Sequence, residues 1–184
     1  MTMRRNRDPG VAEPHAPFTV LHIPHASVAM DALTRRSFCL DDASLDAELL
    51  AMTDWFTDEL FSLDASLATR VVYPVSRLVL DPERFEDDLL EPMASVGMGA
   101  IYTHTSARGA LRYAVDEAER ERLLTAYYRP HHARLTRAVE IALAEWNACF
   151  IVDCHSFGSV PKSYELDPIR ALWRLWWKST AGFT

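Results

Sequence analysis

The run Phe150-Ile151-Val152 empties directly into Asp153-Cys154-His155-Ser156-Phe157, so a short β-prone apolar stretch stops on residues of the metal-ligand type. A stretch bounded in this way reads as a buried strand, and open α/β sheets gather their ligands at the carboxyl ends of such strands. The pattern has an echo near the start of the chain, where Phe18-Thr19-Val20-Leu21-His22-Ile23 ends in Pro24-His25-Ala26-Ser27. Two strand ends, each offering an imidazole, point to one divalent-metal site assembled from distant parts of the sequence.

The chain between them alternates in character. Asp41 or Asp42 can cap a helix, and Leu45, Leu49, Met52, Phe56, Leu60 and Leu63 recur at spacings of three and four, which predicts one long amphipathic helix or two shorter ones over 41–68. Val71-Val72-Tyr73-Pro74-Val75 and Leu78-Val79-Leu80 are two short β-prone pieces. From Asp81 to Gly109 no regular period survives, and an irregular segment of that length is usually functional or mobile. Helical periodicity returns over 116–147, with a kink or break expected near Arg129 because Pro130 follows it. The order strand, helix, strand, loop, helix, strand predicts an α/β fold with a mixed, largely parallel sheet flanked by helices.

At 184 residues the chain suits one domain. Residues 1–17 carry Arg4, Arg5 and Arg7 before Pro and Gly but no apolar signal-peptide core, and are expected to be a disordered leader. A balance of 19 basic against 26 acidic residues, a net charge of −7, argues against nucleic acid or an anionic membrane as partner. No apolar run long enough for a transmembrane helix occurs. Cys39, Cys149 and Cys154 lack CxxC spacing, which fits a reducing, cytoplasmic setting. Oligomeric state is not legible.

Each candidate site residue has a bland alternative. His25, stiffened by Pro24, can ligate a metal or merely bond backbone in a turn, and His155 at the second strand end shifts the balance toward a ligand. His22 sits within its strand, where a buried hydrogen bond suffices. Asp54, on an apolar-rich helix among Met52, Trp55 and Phe56, is either a ligand, a partner to an imidazole, or a carboxylate facing water. Arg77 and Arg84 can clamp an acidic ligand with their planar forks, or be ordinary surface arginines; Arg112 is a weaker candidate of the same kind. Of His131 and His132, about 100° apart on a helix, at most one is expected to reach the site. Cys154, beside His155, is read as structural rather than nucleophilic.

In order, His22-Ile23-Pro24-His25-Ala26-Ser27, Thr53-Asp54, the run from Ser76 to Phe85, Gly99 with Tyr102, Tyr127 to His132, and Asp153 to Phe157 with Tyr164-Glu165 resemble the N-formylglutamate amidohydrolase family over residues 18–168. The resemblance implies a zinc-carboxypeptidase-like hydrolase that cleaves N-formyl-L-glutamate to formate and glutamate, late in histidine degradation. It implies metal ligands His25, Asp54 and His155, the metal being Zn²⁺, and Arg77 and Arg84, with Arg112 as a lesser candidate, on the carboxylates of a small acidic N-acyl amino acid. Other N-acyl amino acids, or a degenerate anion-binding domain without chemistry, remain alternatives. The family's later Gly-Thr-Asp, Pro-Tyr-Gly and glutamate-bearing elements, the last taken as the general base, are not matched. Residues 169–184 instead lack Asp and Glu and hold Trp173, Trp176 and Trp177. Two readings of this tail stand: a truncated or frame-shifted gene, which would leave the chain incomplete at its C-terminus and of doubtful activity, or an amphipathic docking helix.

Overall fold

A computed structural model of the protein describes residues 16–157. The expected leader, save its last two residues, the Trp-rich segment 169–184, and Tyr164 with Glu165 lie outside the described residues. Three strands, β1 (Thr19–Ile23), β2 (Ala68–Val72) and β3 (Phe150–Asp153), form one sheet in the order β2-β1-β3. Both pairings are parallel, with Thr19 opposite Ala68 and Phe150, and His22 opposite Val71 and Asp153. The fold is α/β with a parallel sheet flanked by helices, and antiparallel pairing among the described residues is limited to the isolated bridges Phe38–Arg112 and His104–Ala110.

Strand alternation sends the residues of β1 to two cores. Val20 packs with Val71 of β2 and Ala138 of α5 (Arg129–Trp146), while Leu21 and Ile23 pack with Ala68 and Cys154. Fully burying a side chain of this size is worth about 1.5–3 kcal/mol, so β1, buried on both faces at the sheet centre, is the element on which the rest is hung.

α1 (Ala32–Ser37) and α2 (Asp42–Met52) begin on aspartate caps, Asp31 accepting from the Thr34 N–H and Asp41 from that of Ser44. The helical pattern over 41–68 resolves into α2 and a single turn, α3 (Thr57–Leu60). Asp54 is therefore not on a helix, as its apolar neighbours suggested, but in the break between the two. Thr53 turns extended, Phe56 takes the left-handed region at φ 63°, and the Asp54 N–H donates to the carbonyl of His25 at 3.0 Å. A tertiary hydrogen bond has won over helix continuation.

The stretch Leu78-Val79-Leu80 is not a strand either. It forms turns, with the Val79 N–H on the Ser76 carbonyl and the Asp81 N–H on that of Ala100, and all three side chains are fully buried. A run that is buried all round has no period to read, so apolarity alone could not separate strand from packed turn. The irregular segment beyond it is likewise packed: a 3-10 helix at Pro92–Val96 leads to Gly97, at φ 75°, and Met98 and Tyr102 join Phe38, Leu45, Met52 and Leu111 in a core.

Pro130 produces no break. α4 (Glu117–Leu123) passes into a π-helical turn at Leu124–Tyr128 and then into α5, with Arg129 still helical at φ −61°, ψ −42°. The Arg129 N–H reaches back five residues to the Leu124 carbonyl. Proline lacks the N–H that would bond the residue four before it and crowds that carbonyl; the wider π turn accommodates both without ending the helix. No helix among the described residues is long and apolar enough to cross a membrane.

Candidate functional site

The candidate site lies at the carboxyl edge of the sheet, where the chain leaves β1 and β3. The Cys154 N–H donates to the His22 carbonyl at 2.8 Å, the Asp54 N–H to that of His25, and the Ser156 hydroxyl to that of Trp55 at 2.8 Å. These bonds tie the two strand ends and the α2–α3 break to one another, and so bring His25, Asp54 and His155 together from positions far apart in the chain.

His25 is 2 % exposed, and its two ring nitrogens have different surroundings. Nε2 donates to the Asp81 carboxylate at 2.9 Å, whereas Nδ1 is buried with no hydrogen-bond partner and lies 3.7 Å from Asp54 Oδ2. Asp81 holds a proton on Nε2, so in the neutral ring the orphaned Nδ1 is the nitrogen that presents a lone pair. His155 Nδ1 meets the same Asp54 oxygen at 2.7 Å. The ligand atoms of His25, Asp54 and His155 all lie within 4.8 Å of one another. Two imidazoles and a carboxylate are a donor set suited to zinc, and an unpartnered buried nitrogen aimed into it means that the residues present fit such an ion.

The charges around this point are strongly coupled. Burial disfavours the charged form of His155, but the carboxylates of Asp153, Asp54 and Glu83 outweigh it and push its pKa up to about 12. Burial raises Asp54 less than its bonds from His155 and His25 lower it, leaving it at about 2. Asp81, fully buried, is held well below the usual carboxylate range because Arg77 and His25 overcome its desolvation. The proton shared between His155 and Asp54 occupies the place a divalent cation would fill.

Behind His25 stands a buried polar knot. Arg77 donates to Asp81 Oδ2 at 2.8 Å and to the Tyr102 hydroxyl at 3.0 Å, and that hydroxyl donates to the same Asp81 oxygen at 2.5 Å. Arg84 stands 3.7 Å from Asp81 and 3.7 Å from Glu91. Arg77 and Arg84 are thus brought to the same wall, with side chains 14 % and 24 % exposed. Arg112 is placed elsewhere: it is buried, donates to the carbonyls of Leu78 and Val79, and lies 4.7 Å over the Phe38 ring.

Several residues of the site were not singled out from the sequence. Asp81 was passed over beside its arginines, although a carboxylate closing the apolar run Leu78–Leu80 is the same anomaly that drew notice to Asp54. Glu83 reaches both imidazoles from behind, 3.2 Å from His155 Nε2 and 3.4 Å from His25 Nε2. Asp153 bonds His22 Nδ1 at 2.8 Å and stands 3.7 Å from His155 Nε2. Neither member of the His131–His132 pair joins the three candidate ligands: His131 bonds His22 at 2.9 Å, and His132 bonds the Pro82 carbonyl at 2.9 Å. Cys154 is fully buried, and its thiol is raised to about 11 by burial and by the Asp153 carboxylate, which fits a packing role.

The chain has relatives among known proteins. The family model for N-formylglutamate amidohydrolase matches residues 18–176, eight residues beyond the end expected from the motifs. An N-formylglutamate deformylase from Pseudomonas putida is 27 % identical over 145 residues, covering 76 % of this chain and 52 % of that protein. A crystal structure of an N-formylglutamate amidohydrolase from Ralstonia eutropha JMP134 shares the fold with a TM-score of 0.69 at 24 % identity, covering 79 % of this chain and 55 % of that one. The chain spans about half the length of these relatives.

Proposed function

Because the chain belongs to the N-formylglutamate amidohydrolase family, we propose that it hydrolyses the formyl amide of N-formyl-L-glutamate to formate and glutamate, as a step of histidine degradation, with a divalent metal held by His25, Asp54 and His155. The observation that carries the reading is the buried, unpartnered Nδ1 of His25 converging with Asp54 and His155. Zinc in that place would supply a Lewis acid and a water of lowered pKa.

The chain's own residues do the rest. Asp81 keeps the His25 proton on Nε2, and Glu83 accepts from His155 Nε2 with the Asp153 carboxylate close by, so that each imidazole turns Nδ1 to the site. Arg84, a quarter exposed and not hydrogen-bonded to Asp81, is the guanidinium most open to a substrate carboxylate. Arg77 reaches the same wall with part of its fork already on Asp81 and Tyr102. That partial engagement favours a second reading, in which the acid portion carries one carboxylate and the substrate is another N-acyl amino acid.

The test is formate release from N-formyl-L-glutamate by the purified chain, with metal content measured on the same sample. Turnover that falls on chelation and returns with zinc is expected. Full turnover by metal-free protein would sink the metal reading, and binding of N-formyl-L-glutamate without turnover on long incubation would favour an anion-binding domain instead.

A further inference from the structure

A line of two hydrogen bonds and an ion pair runs from the interior of α5 to the back of His155. His131 is fully buried and faces the ring of Tyr73 edge-on at a centroid distance of 4.9 Å. Its Nε2 meets His22 Nε2 at 2.9 Å, His22 Nδ1 meets Asp153 Oδ1 at 2.8 Å, and Asp153 Oδ2 stands 3.7 Å from His155 Nε2.

The direction of this line follows from the chemistry of its ends. Arg134 Nη2 lies 3.5 Å from His131 Nδ1, and a guanidinium only donates, so Nδ1 must present its lone pair there. Burial, reinforced by the charges of His22, His132 and Arg134, pushes His131 down to about 3, so the ring is neutral and its single proton is on Nε2. His22 Nε2 must then accept, which puts the His22 proton on Nδ1, where the Asp153 carboxylate accepts it. Each of these two hydrogen bonds then has one donor and one acceptor, and Asp153 is the acceptor on which both His22 and His155 converge.

We propose that His131 and His22 are positioning residues for the metal site: His131 orients His22, His22 occupies one oxygen of Asp153, and the other oxygen of Asp153 is left to face His155 Nε2, which keeps the ring of His155 turned with Nδ1 toward Asp54. The placement of His131 depends on the π turn at Leu124–Tyr128, which together with Pro130 sets the phase at which α5 presents it to β1. Single π turns within α-helices occur often at functional sites. The inference rests on the metal reading of the same site, but its polarity can be measured without metal.

Two-bond proton–nitrogen NMR of the metal-free chain reads the tautomers directly. Protonation of His131 at Nε2 and of His22 at Nδ1 is expected; the reverse pair overturns the relay while leaving the metal reading standing. Zinc titration then tests its consequence. His131→Phe removes the donor and should weaken zinc binding about tenfold, in line with the loss seen when outer partners of metal ligands are removed. His131→Gln keeps an N–H near the same place and should recover most of that loss. Equal weakening in both variants at equal thermal stability would overturn the relay. Failure of the unaltered chain to bind zinc would overturn the metal reading and, with it, the relay's part in placing a ligand.

Discussion

His25 and Asp81 share a buried hydrogen bond of 2.9 Å in which the imidazole donates from Nε2, and the other nitrogen of that ring is left without a partner in the protein interior. The orphaned nitrogen is a cost the fold carries unless something binds it, since an unsatisfied buried polar atom is worth about 1–3 kcal/mol.

Asp81→Asn keeps the shape of this contact but loses the charge that holds the His25 proton on Nε2. Zinc affinity should drop about 10- to 100-fold, measured by competition with a chromogenic chelator. Asp81→Ala goes further, leaving Arg77 and His25 buried without their common anion, and should cost about 3–5 kcal/mol of stability in urea unfolding. An Asn variant with unchanged zinc affinity would remove Asp81 from the site.

Arg84→Met should separate the two candidate substrates. A charged hydrogen bond is worth about 1.5–3 kcal/mol, so loss of Arg84 should raise KM for N-formyl-L-glutamate about 10- to 100-fold. If Arg84 holds the side-chain carboxylate, a monoacid N-formyl amino acid should be nearly indifferent to the change. Equal effects on both would place Arg84 on the carboxylate they have in common.

Arg112→Met distinguishes a structural arginine from a substrate clamp. Arg112 closes onto the carbonyls of Leu78 and Val79, and burial lowers its pKa to about 10. The variant should lose about 1–3 kcal/mol of stability, since both carbonyls lose their donor, with KM unchanged. A raised KM in a protein of unchanged stability would restore Arg112 to the substrate.

Asp31 makes a prediction in acid. It caps α1, accepts from the Tyr127 hydroxyl at 2.7 Å and faces Arg122 at 3.6 Å. Burial opposes ionisation, but the bonds from Thr34 and Tyr127 and the charge of Arg122 together outweigh it and hold the carboxyl well below its ordinary value. Its contribution is therefore complete above the unfolded-state pKa of about 4 and is lost as the pH falls toward the folded value. Asp31→Ala should cost about 1 kcal/mol at neutral pH, and the gap to the unaltered chain should narrow steadily on acidification in thermal unfolding. A gap that widens in acid would contradict the assignment.

The sequence showed the two strand ends most clearly, because β1 and β3 are short apolar runs that stop on histidine, and the hydrophobic pattern and the ligand pattern coincide there. Asp54 was recognised as anomalous but set on a helix, since nothing local reveals that its N–H is taken by His25. Leu78–Leu80 was read as a strand because total burial erases periodicity. Asp81, Glu83 and Asp153 have no individual role legible in the sequence because each meets an imidazole far along the chain: His25 is 56 residues from Asp81, His155 is 72 from Glu83 and His22 is 131 from Asp153. Pro130 points in the sequence to a kink or a break because proline's missing N–H is local information, whereas the π turn that absorbs it without ending the helix is selected by packing on either side.

That π turn lets one continuous helix serve two masters. Its first part buries Leu123 and Leu124 in the cluster around Tyr73 and Leu80, and its second buries Ala138 against Val20 and Val71. These are separate surfaces, and a uniform α-helix could face only one of them in register. The extra residue works as an angular joint, a fixed twist of about 100° inserted between two rods. Deleting one residue from Leu124–Tyr128 would turn the second rod by about 100° against the first, so that Leu123 and Leu124 could no longer meet their cluster while Ala138 meets Val20 and Val71.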